Sequence, residues 1–386
     1  MSQTENCSLE ESILEQEAAA FVGDPDEMAA RFEVFPNSSP ASPQVRELAL
    51  EKLDFGKAFG DHMAIMDWSE ADGWHDRRVE AFKPFSLSPA ACVLHYGQEI
   101  FEGLKAFRWD DGSVWSFRPQ FNGVRFNQSA RRLAMPELEL ADFLGSIVAL
   151  VRADDQWVPS VENSALYVRP FMIADEEFLG VRPAAHYKYA VIGTPVGPYF
   201  KGGLKPVAIW VTDEFHRAAP GGMGDAKTGG NYAASLLPQR LAAAEGYEQV
   251  CYLDATGKRN IEELGGMNLF AVKRDGTVLT PRLTGTILEG GTRGAIIRLL
   301  QDAGRQVVST TLNLDQLLLQ IESGEIVEMF ACGTAAVLTP IGRFGGKSFE
   351  VELEGTETCS GLYQQIYAIQ HGHAKDPYNW MIKLSK

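Results

Sequence analysis

The sequence predicts an α+β protein in two lobes, on three observations. Strand-like and helix-like patterns are mixed along the chain, a proline- and glycine-rich stretch interrupts them near the middle, and 386 residues exceed what one hydrophobic core ordinarily holds. The first 30 residues carry eight Asp and Glu and no Lys or Arg, the opposite of a targeting peptide. The helical pattern around Ile13 and Leu14 is weak, so residues 1–30 are expected to be a loosely ordered acidic extension.

Residues 31–194 are expected to form the smaller α/β lobe. Met63 to Trp68, Ser164 to Pro170 and Tyr187 to Ile192 read as strands, and Asp142 to Val151 repeats apolar residues at helical spacing. Residues 195–206 read as the connection, since Pro195, Pro198, Gly197, Gly202 and Gly203 interrupt any regular element. Tyr199 and Phe200 are apolar for a pure linker, which suits a connection that also roofs a cleft. In residues 207–386, the larger lobe, Val207 to Val211, Gln249 to Leu253 and Asn268 to Val272 are strand-like. Asn231 to Ala244 and Arg293 to Ala303 look helical, with Thr292 expected as the N-cap and Gly304 past the C-terminal end.

Composition excludes several classes. A net charge of -16 argues against nucleic acid or an anionic membrane surface as partner. The five cysteines are scattered with no CxxC, which suits a reducing cytoplasm, and no metal site is expected, because no HExxH or comparable ligand spacing occurs. No apolar run approaches the roughly 20 residues that span a bilayer.

The most informative stretch is Gly224 to Tyr232, which sets Lys227 among small residues ahead of a helical pattern. A lysine in such surroundings can be an imine-forming amine. The rival, a phosphate loop, fails because Ala226 stands where its second glycine is required. Two further segments, Glu289 to Gly294 and Ala331 to Ala336, offer glycine-threonine turns with exposed amides that suit an anion, the first at a helix start. Glu262 and Glu263 adjoin glycines and a strand, and an inward-facing carboxylate there needs a cationic partner such as a pyridinium.

Leu94 to Arg108, Leu166 to Pro170, Gly197 to Phe200, Gly224 to Tyr232, Glu263 to Phe270 and Cys332 to Ala335 together resemble the branched-chain amino-acid aminotransferases, class IV enzymes of pyridoxal-phosphate fold type IV. The resemblance runs in one consistent order over roughly residues 45 to 386. It implies a D-amino-acid aminotransferase-like fold, with a small α/β lobe and a larger lobe built on a mixed, barrel-like sheet flanked by helices. The cofactor it implies is pyridoxal 5′-phosphate, and the partners are branched-chain L-amino acids, 2-oxoglutarate, L-glutamate and a second copy of the chain in a homodimer.

By that resemblance Lys227 would bond the cofactor and then carry the proton, Tyr232 would donate to the ring hydroxyl, and Glu263 would pair with the ring nitrogen. Arg125, Gly291, Thr292 and Thr334 would hold the phosphate. Thr334 and Ala335 would take the substrate carboxylate with Tyr96 assisting, while Phe59, Phe101, Tyr167 and Tyr199 would form the apolar pocket and Arg169 would meet a distal carboxylate. The implied reaction moves an amino group from L-leucine, L-isoleucine or L-valine to 2-oxoglutarate by a ping-pong cycle. A D-amino-acid aminotransferase, an aminodeoxychorismate lyase and a non-catalytic cofactor-binding protein remain the alternatives. Two departures stand out: vertebrate members carry a CxxC after the Gly-Thr-Ala turn, where this chain has Ala335 to Thr339, and Gly266 replaces a common threonine.

Overall fold

Nine strands form one sheet and ten another in the computed structural model, which describes residues 12–198 and 204–386. The described chain divides into two units. The first comprises residues 13–198 with Ala226–Gly229 and Tyr367–Lys386, and the second residues 204–225 and Gly230–Ile366.

In the first unit the sheet runs, edge to edge, Glu33–Val34, Gly73–Ala81, His62–Ser69, His186–Val196, Ala165–Ala174, Leu104–Arg108, Val114–Phe117 and Met381–Ser385. Glu99–Phe101 pairs with Ala165–Ala174 alongside that path. Alternation along a strand gives each face its own residues. Ile100, Leu104, Ala106, Leu166, Val168 and Met172 enter the main core with Ile147, Val148, Leu150 and Val151 of the helix Leu140–Ala153. Glu99, Phe101, Tyr167 and Arg169 therefore share the opposite face.

In the second unit the order is Val307–Thr310, Val278–Pro281, Asn268–Lys273, Ile326–Gly333, Val337–Gly346, Val207–Thr212, Gln249–Leu253, Asn260–Leu264 and Leu312–Asn313, with Phe349–Glu352 paired to Val337–Gly346. Parallel and antiparallel pairings mix, and Asn260–Leu264 comes back near Asn268–Lys273 and Val278–Pro281, so the sheet curls toward a barrel. Leu264, Leu269, Ala271, Met329, Ala331, Ile341 and Phe344 fill its core.

Several expectations need correction. The acidic extension is not a loose tail in residues 13–30. The helix Ile13–Ala20 sets Leu14 and Ala18, one turn apart, against Phe121 and Val124, and Glu15 pairs with Arg118. Asp24 then caps the helix Pro25–Ala29 by accepting the Asp26 N–H at 2.7 Å, and Met28 joins the core. A two-turn helix with two apolar contacts gives too short a pattern to read from sequence. Leu14→Ala is expected to cost about 1–2 kcal/mol, below a full core deletion because the helix is terminal, with hydrogen-exchange protection lost first in residues 13–20.

The connection begins later than residue 195, because the strand His186–Val196 continues through Pro195, which pairs with Leu166. Its other neighbour, His62–Ser69, ends its pairing at Ile192, so a missing N–H at Pro195 leaves no ladder bond unmade on that side. Nor does the larger lobe hold all of 207–386: Met381–Ser385 pairs antiparallel with Val114–Phe117 of the first unit's sheet. Residues 231–244 form two helices, Gly229–Ala233 and Leu236–Ala244. The restart puts Pro238 in a first turn, where its absent N–H is not needed. Gly290 rather than Thr292 is the N-cap of the helix Gly291–Asp302, and Thr292 is its second residue.

Candidate active site

Each unit carries one group of the residues in question. On the first unit the Lys227 segment is fixed through its main chain. The Lys227 N–H donates to Ser129 Oγ at 2.9 Å, and the Lys227 carbonyl accepts the Phe101 N–H at 3.0 Å. Ala226 is fully buried. These bonds explain why Ala226–Gly229 groups with the first unit while its sequence neighbours do not. Lys227 Nζ lies 5.0 Å from the Phe101 ring centre, and the Arg169 guanidinium carbon lies 4.7 Å from that same centre.

Ser129 stands on the helix Pro119–Arg132 with Asn122 and Arg125 at helical spacing on its inward side, all buried. Arg125 makes a fork with Glu102, Nε to Oε1 at 2.7 Å and Nη2 to Oε2 at 2.8 Å, and Asn122 Nδ2 adds a bond of 2.7 Å to Oε2. Burial alone pushes the Glu102 carboxyl up. The Arg125 guanidinium, with Lys227 and Asn122 behind it, more than offsets this and holds the carboxyl below its ordinary value. The phosphate arginine suggested by sequence is thus presented by a buried carboxylate.

Tyr167 and Arg169 point from one strand onto this face, with Arg169 Nη2 donating to the Tyr167 hydroxyl at 3.0 Å and Arg169 Nε buried without a hydrogen-bond partner among the described residues. The ring that meets Tyr167 edge-on at 5.1 Å is Phe55. Phe59 stacks instead on Phe82, also at 5.1 Å. Tyr96 is half-exposed and its hydroxyl donates to the Leu179 carbonyl. Tyr199 lies outside the described residues.

The second unit carries the acid. Glu263, buried on the strand Asn260–Leu264, accepts the Leu288 N–H at 2.7 Å and pairs with Arg217 Nη1 at 2.8 Å, both side chains almost fully buried. The same Nη1 donates to the carbonyls of Gly224 and Thr286 at 3.1 Å each. Glu262, its neighbour on the other side of the strand, accepts from Thr286 Oγ1 at 2.5 Å, and burial pushes its carboxyl up. Two residues that could serve one pyridinium are therefore separated by their surroundings: Glu263 already faces a cation, whereas Glu262 answers a hydroxyl.

The helix Gly291–Asp302 offers its first amides behind Gly290, where a Cβ would collide with Asn268 Oδ1. Asn268 Nδ2 in turn holds the Leu288 carbonyl at 2.9 Å. Thr334 and Ala335 lie in the turn between the strands Ile326–Gly333 and Val337–Gly346. Val337 closes that turn at φ 62°, a left-handed conformation that a β-branched residue adopts only under constraint. Tyr232 lies beside Gly266, its Cε1 3.7 Å from where a Cβ would stand, so the glycine leaves ordinary contact room.

The model of the class IV aminotransferases matches residues 99–344, which span both groups of side chains. This chain is a class IV aminotransferase. A Streptomyces coelicolor protein described as a probable branched-chain-amino-acid aminotransferase is 49% identical over 92% of this chain and 98% of its own length. The branched-chain-amino-acid aminotransferase of Mycolicibacterium smegmatis is 46% identical over the same shares. The crystal structure of the Escherichia coli branched-chain amino acid aminotransferase superimposes with a TM-score of 0.68 at 26% identity, covering 84% of this chain and all of that one. The aminotransferase thus belongs to the branched-chain group of its family, and the family works with pyridoxal 5′-phosphate. Each unit by itself offers groups of the kind such a cofactor takes: an amine on a pinned segment and a buried arginine in the first, a buried carboxylate and a glycine-led helix start in the second.

Sequence reasoning missed Phe55, Ser129, Arg217 and the partnership of Glu102 with Arg125. Glu102 lies within the Leu94 to Arg108 segment and Arg125 was implied by the resemblance, so only their pairing was hidden. Arg217 precedes the lysine motif by a few residues and shows no signal of its own.

Proposed function

We propose that this aminotransferase moves the amino group of L-leucine, L-isoleucine or L-valine to 2-oxoglutarate by a ping-pong cycle, as a cytoplasmic homodimer. The observation that carries the reading is the face shared by Phe101, Tyr167 and Arg169 beside Lys227, which offers apolar area and one cation together. Ping-pong exchange through one pocket requires that combination, since an aliphatic side chain asks only for area and shape, worth about 0.8 kcal/mol per buried methylene, while glutamate brings a second carboxylate. The buried cysteines among the described residues carry no disulfide, in keeping with a reducing compartment.

The bound cofactor supplies an electron sink conjugated to the substrate's α-carbon. Lys227 is read as the residue that bonds it and afterwards carries the proton to and from that carbon. Glu263, paired with Arg217, is read as the partner of the ring nitrogen, and Tyr232 as the donor to the ring hydroxyl. Arg125, with Gly291, Thr292 and Thr334, is read as the phosphate site. The amides of Thr334 and Ala335, with Tyr96, are assigned to the substrate carboxylate, and Phe59 and Tyr199, with Phe101 and Tyr167, to the apolar pocket.

Arg169→Met tests the dual-substrate reading. The variant keeps apolar bulk and loses the charge, so KM for 2-oxoglutarate is expected to rise about 10- to 100-fold while KM for L-leucine changes less than about threefold. An equal rise for both substrates would make Arg169 a structural residue. Parallel initial-rate lines test the ping-pong order, and sedimentation at assay concentration tests the dimer.

A further inference from the structure

The Lys227 main chain is held by groups of different kinds. The Phe101 N–H that meets the Lys227 carbonyl is a backbone group that almost any residue would supply, and Ser129 Oγ is a small hydroxyl that itself donates to the Arg125 carbonyl at 3.1 Å. A further tie is a carboxylate: Glu99 Oε1 accepts the N–H of Gly229, two residues beyond the lysine. A Cβ on residue 229 would collide with that same oxygen, so glycine is what lets the carboxylate reach the amide. Glu99 shares its strand face with Phe101, and burial pushes its carboxyl above the usual glutamate range. A carboxylate held against that cost needs a use, and a partly buried amide needs an acceptor.

We propose that Glu99 is a positioning residue, whose side-chain oxygen fixes the Gly229 amide and thereby sets where the Lys227 main chain stands beside Phe101. The proposal rests on Lys227 being the residue that bonds the cofactor. Because a main-chain N–H asks for an acceptor at the right reach, and not for a charge, Gln should serve and Asp should not.

The test compares the holoenzymes of Glu99→Gln, Glu99→Asp and Glu99→Ala with the unaltered protein, by pyridoxal-phosphate dissociation constant, kcat, KM for L-leucine, and hydrogen exchange at the Gly229 amide. E99D and E99A are expected to weaken cofactor binding and lower kcat about tenfold, with Gly229 exchange faster by a similar factor and KM within about threefold. E99Q is expected to stay within about threefold of the unaltered protein in every reading. Should E99A not fold, the contrast between E99Q and E99D decides alone. Unchanged Gly229 exchange in E99D, or an E99Q as impaired as E99D, would overturn the proposal, the second by assigning the effect to charge. Borohydride reduction and peptide mapping of the unaltered protein tests the Lys227 reading separately. Cofactor mass on another residue would overturn that reading, while the Gly229 exchange would still report on Glu99.

Discussion

Lys227→Ala is expected to lower kcat for L-leucine with 2-oxoglutarate by roughly 10³- to 10⁴-fold or more, while leaving the fold intact. The bonds that anchor the segment explain the second half of that expectation. Ser129 receives the main-chain N–H of residue 227 and Phe101 donates to its carbonyl, so neither needs the lysine side chain. The side chain lies beside Phe101 and adds to the positive charge that holds the Glu102 carboxyl down. The variant should therefore unfold at nearly the same temperature as the unaltered protein and still take up pyridoxal phosphate non-covalently through its other contacts. Its bound cofactor should lack the visible absorbance of the lysine-linked form. A variant that keeps this absorbance, or more than about a hundredth of the turnover, would place the chemistry on another amine.

The largest stability effect is expected at Glu102→Gln. The substitution keeps a hydrogen-bonding side chain but leaves the buried Arg125 guanidinium without its counter-charge, which should cost about 3 kcal/mol at pH 7. Replacing both members, as Glu102→Leu with Arg125→Met, should recover at least half of that loss, because two buried charges are then removed together. The pH dependence has a definite sign. The folded-state value of Glu102 lies below the ordinary glutamate value of 4.5, so its contribution is complete above that value and is lost as the pH falls through the folded one. Urea unfolding should show the unaltered protein losing its advantage over E102Q on acidification below about pH 4.5, with the two curves converging. A constant gap down to the acid transition would mean that the carboxylate charge is not what stabilises the pair.

Residues that act through sequence neighbours were readable. The glycine-rich context of Lys227 and the helix start behind Gly290 and Gly291 are local patterns, and the structure has a helix where the second lies, whereas the strand Asn260–Leu264 that carries Glu263 was not among the expected strands. What could not be read depends on pairing across long separations. Ser129 reaches Lys227 from 98 positions away and Glu99 reaches Gly229 from 130. The strand Met381–Ser385 closes the edge of a sheet whose other strands precede it by almost 200 residues or more, and no property of those five residues names that partner. The docked helix Ile13–Ala20 illustrates the same limit: two apolar side chains and one carboxylate meet a surface formed a hundred residues later. Phe55 and Phe59 differ by four positions in sequence, and only their neighbours Tyr167 and Phe82 decide which one meets the face of Tyr167.

The central claim concerns which amino acid is accepted, and the half-reaction addresses it without a second substrate. Purified protein saturated with pyridoxal phosphate is mixed with L-leucine in one cuvette and D-alanine in another, and the visible absorbance of the bound cofactor is followed. Loss of that absorbance with L-leucine, together with release of 4-methyl-2-oxopentanoate and no change with D-alanine, is the predicted result; loss with D-alanine alone would contradict the account.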